Sequence, residues 1–237
     1  MISMTDLHTH ILPGIDDGAP DMDTALQMLE IQVKQGVNTV ALTPHYYRNR
    51  EHLSDFLLRR ENAWSNLQSK LKNIKHPKLI LSAEVAYVPG MADWDELEQL
   101  CYAETKVLLV EPPMNPWNDE MFHQLYAIEG RRGITPMIAH FDRYIKIQSK
   151  QRIDQLMEMG LPIQVGTESL LRFFGRKRAM KLITECNAIP VSDCHNIDSR
   201  PPNLDAAARV MRKILGNKTD NIFQYADKFC QWAYASN

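Results

Sequence analysis

Seven short segments dominated by branched and apolar residues recur along the chain, and a helix-length stretch separates each from the next. The segments are residues 4–8, 37–43 (VNTVALT), 78–84 (KLILSAE), 106–111 (KVLLVE), 134–140 (ITPMIAH), 161–165 and 188–193 (AIPVSD). Between the first two, Ala25, Leu26, Leu29 and Val33 recur at helical spacing within residues 21–35, and Gly36 is a good helix stop. Residues 51–71, 93–101, 119–130, 150–159 and part of 176–186 read as further helices, and 204–215 and 220–235 close the chain. This α/β alternation predicts a parallel sheet with crossover helices, either wound open or closed as a barrel. No repeat, linker or low-complexity run interrupts it, so residues 1–237 are expected to form one domain.

Composition excludes several classes. With 44% apolar residues the chain can bury a core, which argues against disorder. No run of about 20 apolar residues exists, so insertion into a membrane is not expected. A net charge of −2 and a pI near 6.4 offer no basic field, and nucleic acid is not an expected partner. The one local cluster, residues 172–181 (RFFGRKRAMK), reads first as a solvated helix face and second as a patch for an anionic partner. The opening MISMTD lacks the pattern of a signal peptide. Cys101, Cys186, Cys194 and Cys230 form no CxxC pair. Both features fit reduced thiols in a cytoplasmic protein.

The chemistry lies where the expected strands end. His8 and His10 follow the first, His45 the second, Glu84 the third, Glu111 the fourth, His140 the fifth, and Asp193 and His195 the seventh. In a β/α barrel these carboxyl ends share one face, and that face carries the active site. Asp17, on the loop after His10, can join them. Histidines and carboxylates without cysteine suit borderline or hard divalent ions. His8 and His10 are an i, i+2 pair, so both rings leave an extended segment on one side. Asp193 and His195 repeat that spacing.

Each residue has a plainer reading. An isolated HxH is more often an ordinary surface or core pair. His45 could be a loop residue, and His140 a core histidine capped by a backbone bond. Glu84 and Glu111 could be salt-bridged. Asp17 competes with Asp16, and either could cap a turn before Gly18. His52, His76 and His123 fall in helix or loop and take no role. Six strand ends carrying such residues together favour metal.

These residues also carry a resemblance. Residues 6–18 (DLHTHILPGIDDG), Thr43-Pro44-His45, Ala83-Glu84, residues 139–144 (AHFDRY), and residues 192–195 (SDCH) with 199–202 (SRPP) resemble the PHP (polymerase and histidinol phosphatase) superfamily. Within it they look like the bacterial manganese-dependent protein-tyrosine phosphatases of capsule and exopolysaccharide synthesis. The resemblance implies a distorted seven-stranded (β/α)7 barrel of the PHP type holding three divalent metals, manganese first, with iron, zinc or magnesium as alternatives. His8, His10, Glu84 and Asp193 would hold one metal. Glu84, bridging, with Glu111 and His140 would hold the second, and Asp17, His45 and His195 the third. Arg143 and Arg200 match arginines that bind the substrate phosphate. Glu111 stands where other PHP branches often have histidine, which favours the tyrosine-phosphatase branch. The implied partner is a phosphotyrosine protein, a membrane tyrosine autokinase with a tyrosine-rich tail.

On that assignment three divalent ions exceed the charge of Asp17, Glu84, Glu111 and Asp193 by two, which suits a phosphate monoester dianion. Arg143 and Arg200 would add bidentate donors. The expected reaction is in-line attack by a metal-activated hydroxide, without a phosphoenzyme. Three rivals stand beside it. One is a small-molecule phosphatase acting on histidinol phosphate, or a PHP phosphoesterase acting on nucleic-acid ends. A second is a non-catalytic, metal-stabilised adaptor. The third is a cysteine phosphatase, since Cys194 and Arg200 fit C-x5-R. The loop between them has no glycine, and Asp198 would repel a dianion.

Overall fold

The structure is a computed structural model that describes residues 3–103 and 105–231, with side chains to residue 229. Nine strands and eight α-helices follow one another along the chain in the described residues. The strands are β1 (Met4–Thr9), β2 (Val37–Leu42), β3 (His45–Tyr46), β4 (Lys78–Leu81), β5 (Glu84–Ala86), β6 (Val107–Glu111), β7 (Thr135–Ile138), β8 (Gln164–Gly166) and β9 (Ile189–Val191). The helices are α1 (Met22–Gln35), α2 (Leu53–Leu71), α3 (Asp119–Arg132), α4 (Lys150–Glu158), α5 (Thr167–Leu171), α6 (Phe173–Cys186), α7 (Leu204–Leu215) and α8 (Lys218–Gln231). Residues 232–235, expected to extend the last helix, lie outside the described residues.

All pairings are parallel, in three sheets ordered β1-β2-β4, β3-β5-β6-β7 and β8-β9. Seven strands were expected, and nine are present because two of them break. The second stops at Leu42, since Pro44 has no N–H to give to a ladder, and resumes as β3 in another sheet. The third breaks beside it at Ser82-Ala83 and resumes as β5. The breaks are in register: the Ser82 amide donates to Leu42 O and the Glu84 amide to Pro44 O. His45 is thereby paired with Glu84 across β3 and β5.

The helices form for local reasons. Asp21 caps α1 by accepting from the Thr24 amide at 2.8 Å, and Gly36, at φ 78°, ends it in the left-handed region. Asn118 caps α3 through the Met121 amide, and Ser149 caps α4 through Arg152. Residues 93–101 are not one helix but two short 3-10 turns, Met91–Asp93 and Leu97–Leu100. A third 3-10 turn, Phe141–Lys146, follows β7.

Two apolar clusters hold these layers together. The larger packs the helices on the strands. The smaller gathers Leu7, Ile80, Leu109, Met137, Ile189 and Val191, one face of strands from all three sheets. Isolated parallel bridges, Thr9 to Cys194 and Ile138 to Ile163, join the short β8-β9 sheet to the other two.

Candidate metal centre

Strand ends from all three sheets deliver their polar residues to one place. His8 is on β1 and His10 just beyond it; both are fully buried. His8 Nε2 lies 3.1 Å from His10 Nε2, 3.1 Å from Glu84 Oε2 and 3.5 Å from Asp193 Oδ1. His10 Nε2 is 3.3 Å from Glu84 Oε2 and 3.4 Å from Asp193 Oδ1. The His8, His10 and Glu84 atoms form a triangle with edges of 3.1–3.3 Å, whose centre lies about 2 Å from each corner, the bond length of imidazole and carboxylate ligands to a divalent ion.

The hydrogen bonds behind the rings decide what the facing nitrogens are. His8 Nδ1 lies 2.8 Å from Gln164 Oε1, and His10 Nδ1 lies 2.7 Å from Asp16 Oδ2. Both partners accept, so both Nδ1 atoms donate, and in the neutral form of each ring Nε2 is the nitrogen left to ligate. Gln164 is itself oriented: its amide donates to the Tyr102 hydroxyl, which donates to Leu7 O at 2.8 Å. Burial opposes protonation, but Glu84 and Asp193 raise the His8 imidazole, and Asp16, Asp193 and Glu84 hold His10 well above its ordinary range, so each Nε2 faces the carboxylates as a cationic edge whose place a divalent ion could take.

The remaining residues extend this set. His45 Nδ1 approaches Glu84 Oε2 to 3.0 Å, yet neither atom has an aligned hydrogen-bond partner although both are buried. His140 Nε2 is 2.9 Å from Glu84 Oε1 and 3.6 Å from Glu111 Oε1. His195 Nδ1 donates to Asp193 O at 3.0 Å, leaving its buried Nε2 unpartnered, 3.6 Å from Asp17 Oδ1. His45 Nε2 is also 3.6 Å from Asp17 Oδ1. The ligand atoms fall into three compact groups that could hold an ion: His8, His10 and Glu84; His45, Glu84 and Glu111; and His10, Asp17, His45 and His195. Orphaned nitrogens and oxygens aimed at common points are the donor set a divalent cation requires.

Burial alone would push the Glu84 carboxyl up, but His8, His10, His140 and His45 hold it well below its ordinary range. Burial opposes ionisation of Asp193 as well, and His8, His10 and Arg143 overcome it. Burial and the neighbouring His10 push the His195 imidazole down to about 3, so its ring is neutral and free to ligate. Burial and the charge of Glu84 raise Glu111.

Arg143 and Arg200 converge on the far side of Asp193. Both guanidinium groups donate to Oδ2, Arg200 at 2.7 Å, while Oδ1 faces His8 and His10. A small cleft of about 70 Å³ opens beside them, lined in part by Asp142, Ser169 and Asn203. Cys194 is fully buried, and burial pushes its thiol well above the ordinary range. It is an apolar spacer between Asp193 and His195, not an exposed nucleophile. Cys101, Cys186 and Cys194 are free thiols, and the Cys230 side chain lies outside the described residues.

The family model for capsular polysaccharide synthesis, CpsB/CapC, matches residues 4–228. The chain belongs to the CpsB/CapC family. It is 30% identical over 225 residues to the tyrosine-protein phosphatase YwqE of Bacillus subtilis, covering 91% of this chain and 86% of that one. It is 27% identical over 231 residues to the tyrosine-protein phosphatase CpsB of Streptococcus agalactiae serotype III, covering 92% and 93%. Its fold matches solved structures described as YwqE from Bacillus subtilis and CpsB from Streptococcus pneumoniae, unique metal-dependent tyrosine phosphatases. The TM-score is 0.82, with 23% identity over 99% of this chain and 96% of the other.

In this CpsB/CapC chain the expected site residues are all brought together, but sequence reasoning missed what supports them. Asp16 and Asp17 divide the work between them. Asp16 is turned inward, accepting from His10 Nδ1, from the His45 amide at 2.9 Å and from the Gly18 amide at 2.9 Å. Burial would raise its carboxyl; His10 and the two amides hold it at about 2. Asp17, with a side chain 68% exposed, presents Oδ1 to His45 and His195. Asp6 ties β1 to the last strand end, accepting from the Ser192 amide at 3.0 Å and from Gln32 at 2.8 Å. Gln164 left one signal, a polar residue inside the apolar run LPIQVG.

Proposed function

We propose that this chain is a metal-dependent phosphatase that hydrolyses phosphotyrosine on a protein in capsular or exopolysaccharide synthesis. Its partner is a membrane tyrosine autokinase, and its compartment is the cytoplasm. The observation that carries this reading is Asp193, whose one oxygen faces His8 and His10 while the other holds two guanidinium groups. Family membership supports it, since the relatives YwqE and CpsB are named tyrosine-protein phosphatases.

We further read the three sheets as one distorted seven-stranded (β/α)7 barrel in a single domain over residues 1–237. The two bridges and the apolar cluster shared by all three sheets support that closure. Three divalent ions, manganese first among them, would be held by His8, His10, Glu84 and Asp193; by Glu84, Glu111 and His140; and by Asp17, His45 and His195. Bound there, such ions supply Lewis acidity, making water nucleophilic near neutral pH and offsetting charge on the phosphoryl oxygens.

The protein's own groups do the rest. Arg143 and Arg200 receive the phosphate dianion with their remaining N–H donors, and Asp193 keeps both forks aimed at the cleft. Gln164 and Asp16 hold His8 and His10 in the tautomer that exposes Nε2. A tyrosine phenolate, whose conjugate acid has a pKa near 10, leaves more easily than a serine alkoxide and needs little protonation.

The test is a substrate panel of phosphotyrosine peptide, histidinol phosphate and short DNA, run beside elemental analysis. Chelator-sensitive, manganese-restored turnover of the phosphotyrosine peptide is expected. Preference for histidinol phosphate would move the assignment to a small-molecule phosphatase, and metal-replete protein inert on all three would make it an adaptor.

A further inference from the structure

We propose that the corner between α5 and α6 docks the chain onto the surface of an anionic lipid bilayer. Phe173 and Phe174 stand at that corner, 80% and 93% exposed, the two most exposed large apolar side chains among the described residues. Their rings are 5.5 Å apart and edge to face at 87°, so they form one apolar knob. Ile214 of α7, also exposed, shares a groove with Phe174, Lys177, Arg178 and Lys181 and extends the apolar surface. Contiguous apolar surface of this kind marks an interaction site.

The corner is built rather than frayed. Gly175 lets the first turn of α6 lie on α5, since a Cβ there would stand 2.8 Å from Ser169 O. The Arg176 guanidinium donates to Leu170 O at 2.8 Å and to Leu171 O at 3.0 Å, closing the end of α5. These contacts turn both phenylalanines outward.

Charge says what the knob meets. Helices α5 and α6 and the Arg172 junction between them carry Arg172, Arg176, Lys177, Arg178 and Lys181 against only Glu168 and Glu185, in a chain whose net charge is −2. Arg172 pairs with Glu168 and Lys181 with Glu185, while Lys177 and Arg178 make no ion pair among the described residues. An aromatic pair ringed by cations matches the headgroup layer, where rings settle at the interface and Lys or Arg meets lipid phosphate. Surface docking needs no helix long and apolar enough to cross the bilayer, and the described residues contain none.

The same corner reaches the cleft. The Ser169 hydroxyl and the Gly166 amide both donate to Asp142, which lines the cleft with Arg143 and Arg200. Docking would therefore hold the phosphate-binding end near substrate tethered to the bilayer. That consequence rests on the phosphatase reading, and the docking itself does not.

Flotation of the full, metal-loaded chain with vesicles tests it, using phosphatidylcholine alone and phosphatidylcholine mixed with phosphatidylglycerol. Binding to the anionic vesicles, released by salt, is expected. The Phe173→Ser/Phe174→Ser and Lys177→Glu/Arg178→Glu variants should each lower partitioning about tenfold, with turnover of a soluble phosphotyrosine peptide unchanged. Leu58→Ser, at an exposed apolar position on α2, should bind like the parent. Flotation no better with anionic than with neutral vesicles would overturn the proposal. So would variants that float undiminished, or variants whose KM for the soluble peptide rises while vesicle binding holds, the mark of a peptide-docking surface.

Discussion

Arg200 Nη2 lies 2.7 Å from Asp193 Oδ2, on the side of the carboxylate turned away from His8 and His10. One carboxylate thus links the guanidinium end of the site to the imidazole end. Arg200→Ala should leave metal content intact and lower kcat/KM for phosphotyrosine peptide about 10- to 100-fold, the worth of a charged hydrogen bond. Arg200→Lys should recover only part, because a lysine lacks the planar fork. Steady-state kinetics with metal analysis on the same samples checks both.

His8 Nε2 faces His10, Glu84 and Asp193 together. His8→Ala should reduce turnover to background through lost metal, read by elemental analysis. Chelation of the parent chain should lower Tm by about 5 to 10 °C when compared with metal in large excess over Kd. Manganese should restore both Tm and turnover.

Gln164 orients His8 from 156 residues away. Gln164→Leu keeps the volume and removes the acceptor from His8 Nδ1. Metal affinity should fall about 10- to 100-fold, as for other partners of metal-ligating histidines. A metal titration separates this from misfolding, because saturating metal should rescue most of the activity.

Gly18 sits against His10, and an added Cβ would meet His10 O at 2.1 Å and His10 Cβ at 2.4 Å. Gly18→Ala must move the strand end or the loop. A stability loss of about 1–3 kcal/mol is expected in chemical denaturation, together with reduced metal content.

Cys194 is buried with its thiol held protonated, so the C-x5-R spacing to Arg200 is incidental. Cys194→Ala should keep turnover and cost about 1 kcal/mol of stability from the small cavity. Iodoacetamide should leave Cys194 unmodified in the native chain, as peptide mass analysis would show. Abolished turnover with metals retained would make the thiol the nucleophile after all.

The sequence alone made the face of the site readable. His8 and His10, Glu84, Glu111, His140, and Asp193 with His195 each end an apolar, branched segment, and parallel strands bring such ends to one side whatever their order. That inference needs only local periodicity, which a linear pattern carries. Tertiary structure decided everything that depends on distance between segments. Pro44 and the break at Ser82-Ala83 turned two expected strands into four, and the shift between sheets is what pairs His45 with Glu84. Asp16 rather than Asp17 became the partner of His10 because the loop before Gly18 turns one carboxylate in and its neighbour out. His140 and Asp193 hold positive φ, 29° and 50°, a conformation that His and Asp tolerate better than most residues but that their types alone do not specify, and that falls at two strand ends bearing site residues. Spacing along a chain fixes which residues share a face, but only register and packing fix which atoms come within bonding distance.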